Sequence, residues 1–351
     1  VLGRGGVGEV VLARDNDINR PVAIKRLLPD FDDAAVVARF VEEIRTLGAL
    51  DHPNIVPVHD VGVGEDGRYY YVMKYVEGET LEHIIERLAA GDAEYHRRYP
   101  FARRTEIFRQ ILHGVQYAHE RGVIHRDLKP ANVMVGRYGE VVVMDWGLAR
   151  RVEGLEVTAA FPVSDKAETL SRAPGRAGRL RTVSGSLLGT PAYMSPEQAR
   201  GENDRLDVRS DIYSLSVMFH EMLTLRHYLA DRTSIAECIA AVLRDDPPFA
   251  HFVSNPHQPA PPPDLSHFVR HGVAKDPAKR YGSVAEMLER LDRIEDGRCP
   301  VECPSTFAKR ASTEVARLID HRPITMMVAG GTVVCVSLVG VVALVLAALR
   351  A

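Results

Sequence analysis

Cysteine is scarce in this sequence: there are four among 351 residues. That is too few for a disulfide framework and points to a reducing compartment for most of the chain. Cys299 and Cys303 have a CxxxC spacing, but no second Cys/His pair lies nearby to complete a zinc site. A charge excess is missing as well. Lys plus Arg number 44 and Asp plus Glu 47, for a net charge of −3, which excludes a general nucleic-acid binder. No internal repeat is present. Neither Met nor a signal peptide opens the chain, and Val1 already lies in a strand-like run, so the sequence reads as truncated at its N-terminus. Charge is absent from Ile324 to Leu349, a stretch of 26 residues, where about 20 suffice to cross a bilayer.

What remains is ordinary globular material. Hydrophobic residues are 46% and charged residues 26%, proportions that exclude a disordered, collagenous or mostly membrane-embedded chain. The length suggests two or three domain-sized units. Residues 1–76 alternate glycine turns with β-branched runs at Val10–Ala13, Val22–Arg26, Val56–Val61 and Tyr69–Tyr75. One helical stretch interrupts them, with Phe40, Ile44, Leu47 and Leu50 at helical spacing. This predicts a small sheet with one helix. Residues 77–296 are mostly helical in pattern, as in Leu81–Leu88, Thr105–Arg121 and Asp211–Leu225. Ser283 and Glu286 fit a capping box. Pro256–Pro263 reads as a loop between helices rather than a polyproline ligand. Residues 297–323 read as a polar, irregular juxtamembrane linker, and 324–349 as a transmembrane helix. Lys309, Arg310, Arg317 and Arg322 precede the span and Arg350 follows it, which places the N-terminal side in the cytoplasm.

Three groups of residues carry chemistry. Gly3-Arg4-Gly5-Gly6-Val7-Gly8 is followed by strand-like Val10–Ala13, a turn at Asp15–Asn19, and Val22-Ala23-Ile24-Lys25. The glycines therefore join two strands of a hairpin. Such a hairpin either folds over phosphates, offering backbone N–H groups to their oxygens, or is a plain tight turn. Lys25 favours the first reading, because a lysine in an apolar strand is costly unless anions meet it. Glu43, on the Phe40–Leu50 helix, is the candidate carboxylate partner, with Glu42 its rival and more solvent-facing. In His125-Arg126-Asp127-Leu128-Lys129-Pro130-Ala131-Asn132 a carboxylate, an ammonium and an amide share one loop, and Pro130 argues against helix between them. Asp145-Trp146-Gly147 follows the apolar strand Val141–Met144. Two carboxylates and an amide in this arrangement suit Mg²⁺, a hard cation that shares oxygen ligands with phosphates.

The ordered set resembles a eukaryotic-type (Hanks-type) serine/threonine protein kinase. It comprises Gly3–Val10, Val22–Lys25, His125–Asn132, Asp145–Gly147 and Ser195-Pro196-Glu197, with Asp211 and Arg280 as further landmarks. The resemblance covers about residues 1–296. Lys129 with Gly189-Thr190-Pro191 is similar to the serine/threonine branch. The glycine loop together with a C-terminal span resembles bacterial receptor-like kinases. The fold so implied is α+β and bilobal: an N-lobe sheet with one helix (1–76) and a larger helical C-lobe (77–296), ahead of the linker and the membrane helix.

The resemblance also implies roles. ATP would be held by Leu2, Gly3, Arg4, Gly5, Gly6, Val7, Gly8, Val10, Ala23, Lys25, Met73 at the gatekeeper position, and the backbones of Lys74 and Val76. Lys25 would pair with Glu43. Asn132 and Asp145 would hold Mg²⁺, with Mn²⁺ an alternative. Asp127 would accept or orient the substrate hydroxyl proton, and Lys129 would neutralise the transferred phosphoryl group. The partners implied are protein substrates with Ser or Thr, the membrane, and a second copy in trans, with autophosphorylation at Thr182 and Ser184. Arg126 marks the type controlled by such phosphorylation, and Leu155–Gly178 reads as an insertion. Three residues depart from the family pattern: Trp146 for Phe, Ser195 for Ala, and Lys74 for a frequent hinge Glu. A pseudokinase would typically lack Lys25, Asp127 or Asp145. A small-molecule phosphotransferase would lack the Gly189–Glu197 peptide ledge.

Overall fold

The fold is that of a computed structural model, which describes residues 1–4, 8–29, 34–147, 149–151, 191–298 and 300–321. Gly5, Gly6 and Val7, Cys299, the segment carrying Thr182 and Ser184, and the expected span 324–349 lie outside the described residues.

The N-terminal part is built from β1 (Gly3–Arg4), β2 (Gly8–Asp15), β3 (Arg20–Leu27), α1 (Ala34–Gly48), β4 (Val58–Val63) and β5 (Tyr69–Lys74). The strands form one antiparallel sheet in the order β1-β2-β3-β5-β4. Between β2 and β3 the Asp15 carboxylate accepts from the Asp17 N–H at 3.2 Å, and Asn19 closes the turn at φ 56°, a conformation Asn tolerates. On α1, Val36, Phe40, Glu43 and Leu47 recur at spacings of four, three and four and are all buried. Each of the apolar three contributes roughly 1.5–3 kcal/mol when fully buried. Glu43 is the one acid on that face, so the helix carries a carboxylate in against the sheet.

The C-terminal part follows with β6 (Gly78–Thr80), α2 (Leu81–Ala89), α3 (Ala93–Arg98), α4 (Phe101–Glu120), β7 (Val123–Ile124), β8 (Val133–Gly136), β9 (Val141–Val143), β10 (Arg150–Arg151), α5 (Pro196–Ala199), α6 (Val208–Thr224), α7 (Ile235–Arg244), α8 (Pro263–Gly272), α9 (Val284–Glu295) and α10 (Pro304–His321). The side chains of Thr80, Asp92, Asp207 and Ser234 accept from backbone N–H groups in the first turns of α2, α3, α6 and α7, which satisfies donors that have no intrahelical partner. The helix α6 is buried along nearly its whole length, as expected of a helix at the centre of a body rather than on its surface. Phe219 of α6 stacks on Phe108 of α4 with centroids 4.1 Å apart, and Phe268 of α8 meets both edge-on. Short β8 and β9 pair antiparallel, with β6 beside β8. This ladder frames the loop between β7 and β8.

Two local expectations change. Ser283 caps α9 as foreseen, its Oγ accepting from the Glu286 N–H at 3.2 Å, but the Glu286 carboxylate accepts from Gly282 N at 2.7 Å, one residue earlier than the box requires. The linker 297–323 is not irregular: Pro304–His321 is helical. Pro304 stands in the first turn, where no N–H is needed. The Thr306 Oγ accepts from the N–H groups of Glu302 and Cys303, each at 2.9 Å. Polar composition concealed these start signals.

The chain divides into two compact units, Val1–Glu289 and Arg290 onward. Within the second, Arg290 pairs with Glu302 at 2.7 Å, and Gly297 ends α9 at φ 68°. Among the described residues no helix is long and apolar enough to cross a membrane.

Candidate active site

The hairpin reading of the glycine segment holds where it is described. β1 and β2 pair with Gly3 opposite Val10 and Arg4 opposite Glu9, and the Leu2 N–H donates to Val10 O at 2.7 Å. Gly8 lies tight on β3, where a Cβ would stand 3.0 Å from Arg26 O. Ala23 and Met73 are register partners on β3 and β5 and are both buried. Val76 is buried as well. The Lys74 N–H donates to Pro57 O at 3.1 Å.

Lys25 projects from β3 opposite Tyr71 of β5. Its Nζ lies 2.6 Å from Glu43 Oε1 and 2.9 Å from Asp145 Oδ1. The Tyr71 hydroxyl donates to the same Glu43 oxygen at 2.8 Å. Glu42 points away and sits 3.9 Å from Arg45 on the exposed side of α1, so geometry separates the two rivals. Burial works against the Lys25 charge, but the carboxylates of Asp145 and Glu43 outweigh it and raise its pKa above the ordinary value. Burial raises the Glu43 carboxyl despite Lys25. For Asp145 burial also pushes upward, and the Lys25 ammonium overcomes it, leaving the carboxyl below the ordinary aspartate value.

The loop after β7 converges on the same place. Lys129 Nζ donates to Asp127 Oδ2 at 2.8 Å, and Asn132 Nδ2 donates to Asp127 O at 2.9 Å and to Oδ2 at 3.3 Å. Pro130 does not abolish helical backbone here. It opens a single 3₁₀ turn, Pro130–Asn132, in its first position, where its missing N–H costs nothing. The loop is pinned from beneath by Asp211, which is completely buried on α6. Its carboxylate accepts from His125 N and Arg126 N, each at 2.8 Å, and from His119 Nε2 at 2.8 Å. Those donors hold it ionised against the opposing effect of burial.

Asp145, two residues past the end of β9, takes a left-handed backbone, φ 58°. Trp146 turns inward and is 1% exposed. It lies 4.5 Å from the His125 ring, and its indole N–H reaches Val143 O at 3.5 Å. At Gly147 a Cβ would stand 3.0 Å from Glu43 Oε2, so glycine keeps that approach open. Further along, Pro191–Tyr193 forms a 3₁₀ turn and Ser195 caps α5. Glu197 takes a two-pronged contact from Arg280 at 2.7 and 2.9 Å and a hydrogen bond from Ser210 at 2.8 Å.

The structure thus brings Lys25, Glu43, Asp127, Lys129, Asn132 and Asp145 together. It also supplies residues the sequence reading missed. Tyr71 is one, although its inward position on β5 beside Met73 was a usable signal. His119 beneath Asp211 and Gln198 on α5 are the others. Asp211, the partner of His119, and Arg126, the partner of Gln198, are distant in sequence, and no local pattern marks those contacts.

A small antiparallel sheet with one helix, set over a helical body with the Lys25–Glu43 pair facing the Asp127 loop, defines a protein-kinase type of domain. The comparison with known families agrees: residues 1–291 match the protein kinase domain, and the chain belongs to that family. Similar curated proteins include one from Streptomyces coelicolor named "Probable serine/threonine-protein kinase", 34% identical over 335 residues, covering 94% of this chain and 44% of the relative. Serine/threonine-protein kinase PknB of Mycolicibacterium smegmatis is 35% identical over 329 residues, covering 92% and 46%. Serine/threonine-protein kinase PknD of Chlamydia felis is 33% identical over 329 residues, covering 91% and 33%. The domain is therefore of the serine/threonine kinase type. The chain spans between a third and a half of the length of these relatives.

Proposed function

We propose that this chain transfers the γ-phosphoryl group of ATP to Ser and Thr hydroxyls of proteins. The bonding of Lys25 to Asp145, with Asp127, Lys129 and Asn132 bonded together on the neighbouring loop, carries this reading. In it the glycine hairpin covers the phosphates and Lys25, steadied by Glu43, holds the α and β phosphates. Adenine lies by Ala23, Met73 and Val76 and meets the Lys74 carbonyl, since the Lys74 N–H is already given to Pro57 O. The substrate hydroxyl oxygen bonds to the γ-phosphorus as the bond to the bridging oxygen breaks and ADP departs. Asp127 takes or orients the hydroxyl proton, and Lys129 neutralises charge on the moving group. Asn132 and Asp145 offer hard oxygen donors that fit Mg²⁺ or Mn²⁺, and Asp145 is held in the ionised form a metal ligand needs. The metal, when bound, supplies further positive charge at the phosphates.

The reading extends to location and control. The uncharged run Ile324–Leu349 supports a single membrane span with the kinase domain in the cytoplasm. Thr182 and Ser184 are acceptors for autophosphorylation in trans, their phosphates meeting Arg126.

Steady-state kinetics of the full chain on a generic protein substrate test the assignment. Asp127→Asn is expected to lower kcat by orders of magnitude with ATP affinity nearly unchanged, because its role belongs to the transition state. Asp145→Asn is expected instead to weaken metal-dependent nucleotide binding. Wild-type turnover by the Asp127 variant would refute the function.

A further inference from the structure

We propose that Gln198 is a positioning residue for phosphoryl transfer, clamping the peptide unit that precedes Asp127. The proposal rests on the kinase reading above. Arg126, immediately before Asp127, has φ 72°, a left-handed conformation that a side chain other than glycine adopts only when its surroundings hold it. Its N–H is held by Asp211 Oδ1 at 2.8 Å. Its carbonyl is held by Gln198 Nε2 at 2.8 Å. The other edge of the same peptide unit, Asp127 N–H, donates to His125 Nδ1 at 3.3 Å. The plane entering Asp127 is therefore gripped at both its oxygen and its nitrogen.

Gln198 cannot swing away cheaply. Its Oε1 accepts from Ser195 N at 2.9 Å and from Ser195 Oγ at 3.1 Å. The partners also fix the amide orientation: the Ser195 N–H only donates and the Arg126 carbonyl only accepts. One residue back, Glu197 is anchored by Arg280 and Ser210. A continuous set of bonds thus runs from a buried ion pair through α5 to the backbone of the proposed base. The residue type is informative. A capping box needs only an acceptor at this position, and Glu serves as well as Gln. Only Gln also has an N–H to give Arg126. The choice of amide over acid is explained by the clamp and not by the cap.

Gln198→Glu keeps both halves of the cap and removes the clamp; Gln198→Ala removes the clamp and the side-chain half of the cap, leaving the Ser195 Oγ bond to the N–H of residue 198. In the full chain, both variants are expected to lower kcat by roughly 3- to 10-fold, the effect of losing one neutral hydrogen bond felt at the transition state, with KM for ATP unchanged. Gln198→Glu, which sets a carboxylate oxygen against the Arg126 carbonyl, is expected to lower Tm but keep the wild-type peptide KM, while Gln198→Ala also raises peptide KM. Wild-type kcat in Gln198→Glu would overturn the proposal, since a capping role alone predicts that result. Hydrogen exchange reads the clamp without catalysis: residues 123–132 should exchange faster in Gln198→Glu while 195–200 stay as protected as in wild type. Equal protection of 123–132 would also overturn it. A wild-type chain no faster than Asp127→Asn would refute the kinase reading and the catalytic half of the proposal, leaving exchange to decide the clamp.

Discussion

At the scale of single residues, the site turns on one crowded oxygen. Glu43 Oε1 receives both Lys25 Nζ and the Tyr71 hydroxyl, inside a region where an unmet polar group costs about 1–3 kcal/mol. Tyr71→Phe removes one donor without adding volume. It should destabilise the domain by about 0.5–1.5 kcal/mol in urea unfolding and raise KM for ATP through a looser Lys25. Lys25→Met leaves the buried Glu43 carboxylate without its cation, while half-exposed Asp145 can turn to water, and should cost about 3 kcal/mol. A Tyr71→Phe loss exceeding that of Lys25→Met would refute this ranking. The pH behaviour of the triad follows from its shifts. The raised Lys25 contributes fully below the ordinary lysine range and is lost as pH rises through its raised value. The lowered Asp145 contributes above the ordinary aspartate range and is lost as pH falls through its lowered value. Between these limits Lys25 and Asp145 give no pH dependence.

At the scale of elements, acid sensitivity belongs to the end of α6. His220, whose Nε2–H donates to Pro248 O at 2.9 Å, and His227 are each pushed down to about 4 by burial. Glu221, which accepts from the Tyr193 hydroxyl, is pushed up to about 7, chiefly by burial. Between the ordinary carboxylate and imidazole values, the native state therefore lacks two imidazole protons and holds one extra carboxyl proton. These three groups together hold one proton fewer than in the unfolded chain, so their contribution to stability should rise with pH by about 1.4 kcal/mol per unit over pH 4.5–6.5. Glu221→Gln removes the opposing group and should steepen the measured slope by about 1.4 kcal/mol per unit. An unchanged slope in chemical denaturation at several pH values would refute the assignment. Elements also mark what was legible beforehand. The Phe40, Ile44, Leu47 and Leu50 spacing places Glu43 beside the inward face of α1 because helical spacing is local, while its choice over Glu42 was settled by the Lys25 contact. The strand-turn-strand context of Lys25 is local too. The start of α10 depends on Pro304 and on Thr306, whose hydroxyl ties back the N–H groups of Glu302 and Cys303 within a polar stretch. The Ser195–Gln198 box is visible as a pattern, but its partner Arg126 is 72 positions away, and contacts of that range leave no periodic trace. Asp211 and Arg280 were marked only by family resemblance.

At the scale of the whole molecule, the proposed span would take its orientation from charge. Four basic residues between Lys309 and Arg322 precede the uncharged run and Arg350 follows it. A reporter fused after Ala351 should therefore be active outside the cytoplasmic membrane, and a cytoplasmic signal would reverse the orientation. One more property is molecular rather than local. The chain contains a single tryptophan, and it is Trp146, buried against His125 and covalently next to Asp145. When tryptophan is excited selectively, leaving the 12 tyrosines dark, the emission therefore comes from one indole at the turn that carries Asp145. The protein carries a native fluorophore where nucleotide, metal and loop rearrangement would all be felt, so its conformational state is readable in unlabelled material, free of any chromophore that would itself disturb the site.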